Sequence, residues 1–492
     1  MWRKSENQRI NFPMLFKILG WLLMIESAFM FIPAVVAYFY GESDWMPLGA
    51  SSVFTFVVGF ALDHWVNPEK SLMAKREGFL LTATVWVVFS LFGMLPFLFC
   101  STPLGVVDAF FEAMAGFTTT GCSAYADIDK LSHGINIWRA LMQWVGGMGI
   151  IIFTLAVIPM LNHAGGMQMF SAEVTGITTE KIRPRISQTA KTLWGIYTLL
   201  TLACFLLLWA GPMSFFDSLC HAFGVVSTGG FSTHTESLHF WNSAYIDLVV
   251  TGFMLLGGTN FALIYFAAHG RFKHLKENGT FKAYINFILF YYVVFVLVIL
   301  LRGEAHGPKT ALVFPLFQVV SAMTSTGYLI PNFWLLGQFA SALMLAMMFF
   351  GGCAGSTSGG AKIDRLVVVL KYLRNSLRRA FEPNKVTIVK FDGRILPSDT
   401  VSRTIAFVCF YLIILLTGGL LLTMFDIPVF ESLMASLSCM SNSGLGYDLI
   451  IDDIGSAGTM WGVKLILSML MLIGRLEVFT VLVLFLPNFW RK

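Results

Sequence analysis

The sequence predicts an all-α integral membrane protein in which two leading helices precede four repeats of helix, pore-helix and helix, arranged around one pore as a pseudo-tetramer within a single chain. Three observations carry that expectation. Hydrophobic residues fill 56% of the 492 positions and charged residues only 12%, with a mean hydropathy of +0.73. A water-soluble fold of that composition would expose apolar areas larger than soluble monomers carry. Apolar runs of spanning length recur along the whole chain. A short apolar stretch ending in hydroxylated or amide residues and a glycine occurs four times, each time between two such runs.

The first run, near 14–40, follows Arg3, Lys4 and Arg9; it is too long for the apolar part of a signal peptide and has no small-residue cleavage site, so it reads as a transmembrane helix. Further spans lie near 46–66, 78–101, 138–162, 190–211, 243–270, 283–301, 334–370, 402–425 and 459–487, the eighth interrupted by glycines. Four stretches near 107–118, 215–226, 313–324 and 430–441 are too short to cross and read as re-entrant. With the N-terminus inside, the cytoplasmic segments hold Lys70, Lys75, Arg76, Lys181, Arg183, Arg185, Lys191, Arg271, Lys273, Lys276, Lys282 and the run from Arg365 to Arg403. The opposite side keeps only Lys130, Arg139, Arg302 and Lys309. This asymmetry places both termini, with Arg491 and Lys492, in the cytoplasm. The outer loops carry Glu42, Asp44, Asp127, Asp129, Glu236, Asp448, Asp452 and Asp453, a field expected to concentrate cations unless these are merely solvated charges. The resulting organisation is 1–76 for the leading helices, 77–164, 188–272, 280–376 and 401–490 for four pore repeats, with a glycine-rich intramembrane loop at 351–360 and a basic cytoplasmic linker at 377–400.

The repeated unit shows in the residues themselves. The first stretch, from Asp108, ends on Thr119, Thr120 and Gly121; the second, from Asp217, passes Ser227, Thr228 and Gly229; the third passes Ser325, Thr326 and Gly327; the fourth passes Asn442, Ser443 and Gly444. A half-helix inside the bilayer leaves its last carbonyls unpaired, and such backbone survives only where it is buried or lines a wet cavity. Four helix C-termini aimed at one axis favour a cation there. Carbonyls of the following loops can replace its water, and glycine supplies the backbone angles and close approach that a carbonyl ring needs.

On these motifs the chain resembles the Trk, Ktr and HKT superfamily of potassium transporters, most closely the membrane subunit of bacterial Trk systems, over nearly its whole length. The resemblance implies a potassium-channel-like pore in one polypeptide, with an extra pair of helices in front, and it makes Thr119 to Gly121, Ser227 to Gly229, Ser325 to Gly327 and Asn442 to Gly444 the four selectivity-filter segments, binding potassium as the substrate. It implies a short carbonyl site, since the tetrameric-channel string T-V-G-Y-G is absent. Glycine in all four repeats favours potassium, because sodium-preferring plant members often carry serine in the first. A bacterial cytoplasmic membrane, a homodimer, and a cytosolic TrkA-like ring of nucleotide-binding regulatory subunits are further implications.

The string from Gly351 to Gly360, with Gly352, Gly355 and Gly359 between, cannot be continuous helix, each glycine costing about 1 kcal/mol relative to alanine. It is not a phosphate loop, because no G-K-S/T follows it and no strand precedes it; close packing of small residues against a neighbouring helix is the other use of such a string. Lys362, Asp364 and Arg365 follow. By resemblance this segment is an intramembrane gate beneath the filter, moved by the cytoplasmic regulator. Arg475 and Glu477 stand within the last span, where ionisable residues are expensive and functional by default. By resemblance Arg475 is an electrostatic obstacle near that gate. Pairing with Glu477 or with carbonyls that merely ties helices together is the alternative, the direct pair weakened because residues two apart on a helix do not face each other. Lys464, near the span's outer end, is expected to snorkel.

Other chemistry is excluded or unsupported. A charge of +5 is too small to argue for nucleic acid. The seven cysteines lack a C-x-x-C pair and sit in apolar stretches, so they read as small hydrophobes rather than a disulfide framework or zinc site. The histidines have no metal-ligand spacing, and no hydrolase, protease or phosphorylation motif appears, so the chain reads as a transporter, not an enzyme, with no catalytic residues and no cofactor of its own. The basic segment from Lys371 through Arg374, Arg378, Arg379, Lys385, Lys390 and Arg394 to Arg403 suits either anionic lipid of the bilayer or a docked partner. The alternative function is a secondary transporter of another cation or small solute, coupled to protons or sodium, on an inverted-repeat fold. The loops all lie on one side, which makes the repeats parallel and favours the pore.

Overall fold

A computed structural model describes residues 10–66, 75–149, 186–330, 333–384, 387–392, 394–447, 449–450 and 460–490. The second half of the span expected at 138–162, and Arg3, Lys4, Arg9, Lys70, Lys181, Arg183, Arg185, Lys385, Asp448, Asp452, Asp453, Arg491 and Lys492, lie outside the described residues.

The two leading helices, α1 (Phe12–Phe39) and α2 (Trp45–Trp65), form an antiparallel pair. They cross at Gly20 and Gly59, each so close to the other's carbonyl that a Cβ at either would have to displace backbone. Small residues let helices approach where lipid offers no hydrophobic drive. Ser27 and Ser52 then exchange hydroxyl-to-carbonyl bonds of 2.8 and 2.9 Å across the pair.

Helix α3 (Lys75–Gly93), continued by α4 (Leu95–Phe99), leads into the short α5 (Val106–Phe117), and α6 (His133–Gly147) returns. The same order recurs as α7 (Ile186–Trp209), short α8 (Phe215–Val226) and α9 (Ala244–Gly257) continued by α10 (Phe261–Ala268). After α11 (Phe272–Glu277), the third unit runs α12 (Gly279–Arg302), short α13 (Phe314–Met323) and α14 (Gln338–Phe350), with α15 (Ile363–Phe381) beyond a loop. The fourth runs α16 (Ser398–Thr423), short α17 (Val429–Met440) and α18 (Met460–Arg475) continued by α19 (Phe479–Leu482). Among the described residues the strands are one two-residue pair, with Phe391 opposite Arg394, between α15 and α16. The expected all-α architecture of two leading helices and four units is therefore present.

Among the described residues six helices are long and apolar enough to cross a membrane, α3 and α4 counting together as one. The sixth and tenth spans, expected as continuous runs, are bent instead, by 106° between α9 and α10 and by 108° between α18 and the segment from Phe479. The eighth is interrupted by the glycine string as expected. The first inner helix, α6, also ends in glycines, at Gly147 and Gly149. Every inner helix thus stops at a comparable place, just past its short helix's C-terminus. In three units the cause is contact: a Cβ at Gly146 or Gly474 would overlap the carbonyl of Phe117 or Met440, and one at Gly257 would crowd that of Val226.

Several of the described outer-loop carboxylates are engaged. Asp44 accepts from the Ser101 amide at 2.7 Å and the Ser132 hydroxyl at 2.5 Å. Glu42 accepts from the His133 amide at 2.7 Å. Lys130 lies 2.8 Å from Asp127 and holds that carboxyl below its ordinary pKa. Asp44 and Glu42 thereby tie loops together while keeping their charge, and Asp127 pairs within its own loop.

Candidate functional site

The four short helices end alike. Their caps are Thr118, Ser227, Thr324 and Ser441, all with negative φ, and the next residues, Thr119, Thr228, Ser325 and Asn442, sit at φ between 52° and 55°. One residue on, φ is no longer positive, and then Gly121, Gly230, Gly327 and Gly444 are positive again at 82°, 79°, 95° and 72°. Alternating the sign of φ turns neighbouring peptide groups toward the same side. Non-glycine residues are uncommon at positive φ, so four equivalent ones mark a backbone held in place by its surroundings.

This pattern corrects the register of the second unit. Its counterpart of Gly121 is Gly230, while Ser227 is the helix cap and Gly229 stands where the other units have Thr120, Thr326 and Ser443. The hydroxyl pairs agree: Thr118 with Thr120 at 2.8 Å, Thr324 with Thr326 at 2.7 Å and Ser441 with Ser443 at 3.0 Å. Gly229 has no side chain to pair. Instead the buried Gln143 amide takes that space, donating to the Gly229 carbonyl at 2.6 Å and accepting from the Phe231 amide at 3.1 Å. The sequence did hold the signal, since the same interval separates Asp108 from Gly121, Asp217 from Gly230 and Glu431 from Gly444.

The four loops close into a ring. A Cβ on Gly121 would overlap the Gly229 carbonyl oxygen, on Gly230 that of Thr326, on Gly327 that of Ser443, and on Gly444 that of Thr120. Each unit's glycine thus packs on the carbonyl of the next unit in chain order, and the last closes on the first. Asn442 fastens that closure, donating at 3.0 Å to the Thr120 hydroxyl and at 3.0 Å to the Met471 carbonyl.

Behind the ring, equivalent positions on the short helices hold the returning chain, and sequence reasoning did not single them out. Glu112 accepts from the Ala124 amide at 2.6 Å, His221 bonds Ser232 Oγ at 3.0 Å, and Gln318 accepts from the Ile330 amide at 3.0 Å. The fourth unit has Ala435 there. Arg139, expected among outer-loop charges, is 1% exposed and lies 2.7 Å from Glu112, itself 0% exposed. It also donates to Ser123 Oγ at 3.1 Å and the Ser232 carbonyl at 3.2 Å, joining the first and second loops. An intramembrane ion pair is tolerated only when fully bonded in this way.

Directly behind the ring, on the side of α15, lies the glycine string. Gly351, Gly355 and Gly360 are at φ 68°, 74° and 79°, and Gly352 packs against Ser358. The Gly359 amide donates to Ser325 Oγ at 2.6 Å, and Thr357 Oγ1 donates to the carbonyls of Val226 at 3.2 Å and Gly257 at 3.1 Å. Arg475 donates to Thr357 O at 3.0 Å, Gly146 O at 2.6 Å and Gly147 O at 3.1 Å. The loop therefore touches the second and third units directly, packs Gly359 on the Ser441 carbonyl of the fourth, and reaches the first through Arg475. Lys362 donates to the Ser358 carbonyl, and Arg365 pairs with Glu477 while lying 3.9 Å from the Phe407 ring. A cavity of about 90 Å³ opens here, bounded by Asn442 toward the ring and by Gly359, Lys362, Arg475 and Glu477 on the other side. That volume admits several waters, since one needs only ~10–15 Å³. Lys464 does not snorkel: it lies 2.5 Å from Asp108, bracing the first short helix.

A carbonyl ring at four converging helix ends inside a membrane protein, with a cavity lined by Lys362, Arg475 and Glu477 on one side, defines a cation-conducting pore. The chain belongs to the TrkH family of cation transport proteins, whose family model matches residues 49–304 and 308–492. It is 37% identical over 492 residues to the Trk system potassium uptake protein TrkH of Salmonella typhimurium, covering 98% of this chain and 100% of that protein. It is 30% identical to the potassium uptake protein TrkG of Escherichia coli, covering 96% and 97%. The crystal structure of the potassium transporter TrkH from Vibrio parahaemolyticus superposes with a TM-score of 0.87 at 32% identity, covering 98% and 100%.

Proposed function

We propose that this chain is the membrane subunit of a potassium uptake system, and that the carbonyl oxygens of Thr120, Gly229, Thr326 and Ser443, with those of the neighbouring loop residues, form one potassium-selective site. The closed ring of glycine-to-carbonyl packing is the observation that carries this reading. Carbonyls replace the ion's hydration shell, and the negative ends of the four short helices add to the attraction. The 351–360 loop is the gate. It lies across the path behind the ring, and Arg475 is both its fastening and a fixed positive charge that keeps cations from resting in the cavity.

The chain lies in a bacterial cytoplasmic membrane with both termini inside, so that the ring faces outward and the gate inward. It acts as a homodimer under a cytosolic ring of nucleotide-binding subunits. The basic helix α15, carrying Arg374, Arg378 and Arg379, offers that ring a docking surface directly connected to the gate loop. Purified protein in liposomes tests the reading: potassium and rubidium should pass far faster than sodium, without an imposed proton gradient. Equal sodium flux would remove the selective site, and strict dependence on the gradient would favour coupled transport.

A further inference from the structure

Glu26 sits at the midpoint of α1 and is 2% exposed, with both carboxyl oxygens buried and without a hydrogen-bond partner. It borders a cavity of about 10 Å³ whose other walls include Phe29, Phe89, Phe117, Trp138 and Leu141, contributed by α1, α3, α5 and α6. Phe117 is the last residue of the first short helix. Polar neighbours that could have bonded the carboxyl are taken. Ser27 is paired with Ser52, and the Trp138 indole donates to the Gly93 carbonyl at 3.0 Å.

Charged groups on the packed elements are likewise engaged elsewhere. On α1 and α2, Lys17 faces Asp63 at 3.7 Å. On α3, Glu77 accepts from the Asn11 amide at 2.7 Å, and Trp86 lies 5.6 Å from the Arg475 guanidinium, which is spent on three carbonyls. On α5 and α6, Glu112 is bonded to Arg139, Asp108 to Lys464, and His133 to Glu42. Among the described residues Glu26 forms no ion pair. A carboxylate in such surroundings has neither solvation nor a partner, and such a group takes up a proton rather than remain charged. A metal cation is excluded as occupant, because the cavity is at the lower edge of what holds one water (~10–15 Å³) and offers one ligating group.

We infer that Glu26 is an intramembrane proton-binding site, occupied at neutral pH, whose bound proton lets α1 pack against the back of the first pore helix. The inference does not depend on which ion passes the ring. The test is infrared spectroscopy of the full-length protein in lipid at neutral pH, wild type against Glu26→Gln, with potassium flux measured on the same samples. The difference spectrum should show loss of a protonated-acid carbonyl stretch and no loss of carboxylate bands. Glu26→Gln, a neutral mimic of the protonated form, should match the wild type in flux. Loss of carboxylate bands instead would overturn the proposal. So would a folded Glu26→Gln that has lost flux restored by Glu26→Asp, since that pattern shows that a neutral mimic of the protonated form does not suffice.

Discussion

At Gly121 a side chain meets two obstacles at once: φ is 82°, and the Cβ would overlap the Gly229 carbonyl. Gly121→Ser should therefore lower potassium-over-sodium preference more than it lowers protein abundance, read from rubidium and sodium uptake in liposomes. The two adjacent glycines of the second unit separate conformation from space. Gly230→Ala is opposed by backbone, its φ of 79° and the Thr326 carbonyl, whereas Gly229→Ala is opposed by the Gln143 side chain. Gln143→Ala should rescue Gly229→Ala and leave Gly230→Ala impaired; a tolerated Gly230→Ala beside a Gly229→Ala that Gln143→Ala cannot rescue would return the register to Gly229. Removing Arg139 strands the buried Glu112 carboxylate, and breaking such a pair costs about 3–5 kcal/mol. Arg139→Met should lower the thermal midpoint sharply, and adding Glu112→Leu should restore much of it while leaving ion preference relaxed. A double variant with unaltered preference would reduce the pair to scaffolding.

The loop before α15 is held by Thr357, bonded to the second unit, and by Arg475, which bridges it to the end of α6. Arg475→Ala removes both the charge and three carbonyl bonds, while Arg475→Lys keeps the charge and loses the bridge. If the bridge is the restraint, both should raise flux in the absence of a partner; if repulsion dominates, Arg475→Lys should stay near wild type. Deleting Ser356 to Ser358 should raise flux in either case. Flux unchanged in all three would move the gate away from this loop. The short helices were legible in the sequence because an apolar run too short to span, closing on hydroxyls and a glycine, has few other uses. Their exact alignment was not, because S-T-G-G offers two glycines and only φ distinguishes them. The breaks after Gly257 and at Arg475 carry only short polar interruptions, Gly258-Thr259-Asn260 and Arg475 with Glu477, inside runs that are otherwise apolar, so length and hydropathy alone read each as one span. Arg139 escaped notice for a related reason, since a residue at the edge of an apolar run reads as loop charge until the fold buries it against Glu112.

For the molecule as a whole, the positive-inside asymmetry and the basic α15 make two claims about sides. Single cysteines at Ser43 and Asn375, in a background without exposed thiols, should react with an impermeant maleimide from outside and only after permeabilisation, respectively. Reversed labelling would invert the orientation. If the proposed cytosolic subunits dock on α15, Arg374→Gln with Arg378→Gln and Arg379→Gln should abolish the response to them while basal flux persists, because a partner can shift a gate only through differential affinity for its two positions. The most direct measurement compares potassium, rubidium and sodium flux through purified wild type and Gly121→Ser in liposomes with no proton gradient. A ring of four backbone carbonyls predicts strong preference for potassium and rubidium in the wild type and its loss in the variant. Sodium passing the wild type as fast as potassium, or a preference untouched by serine at position 121, would contradict it.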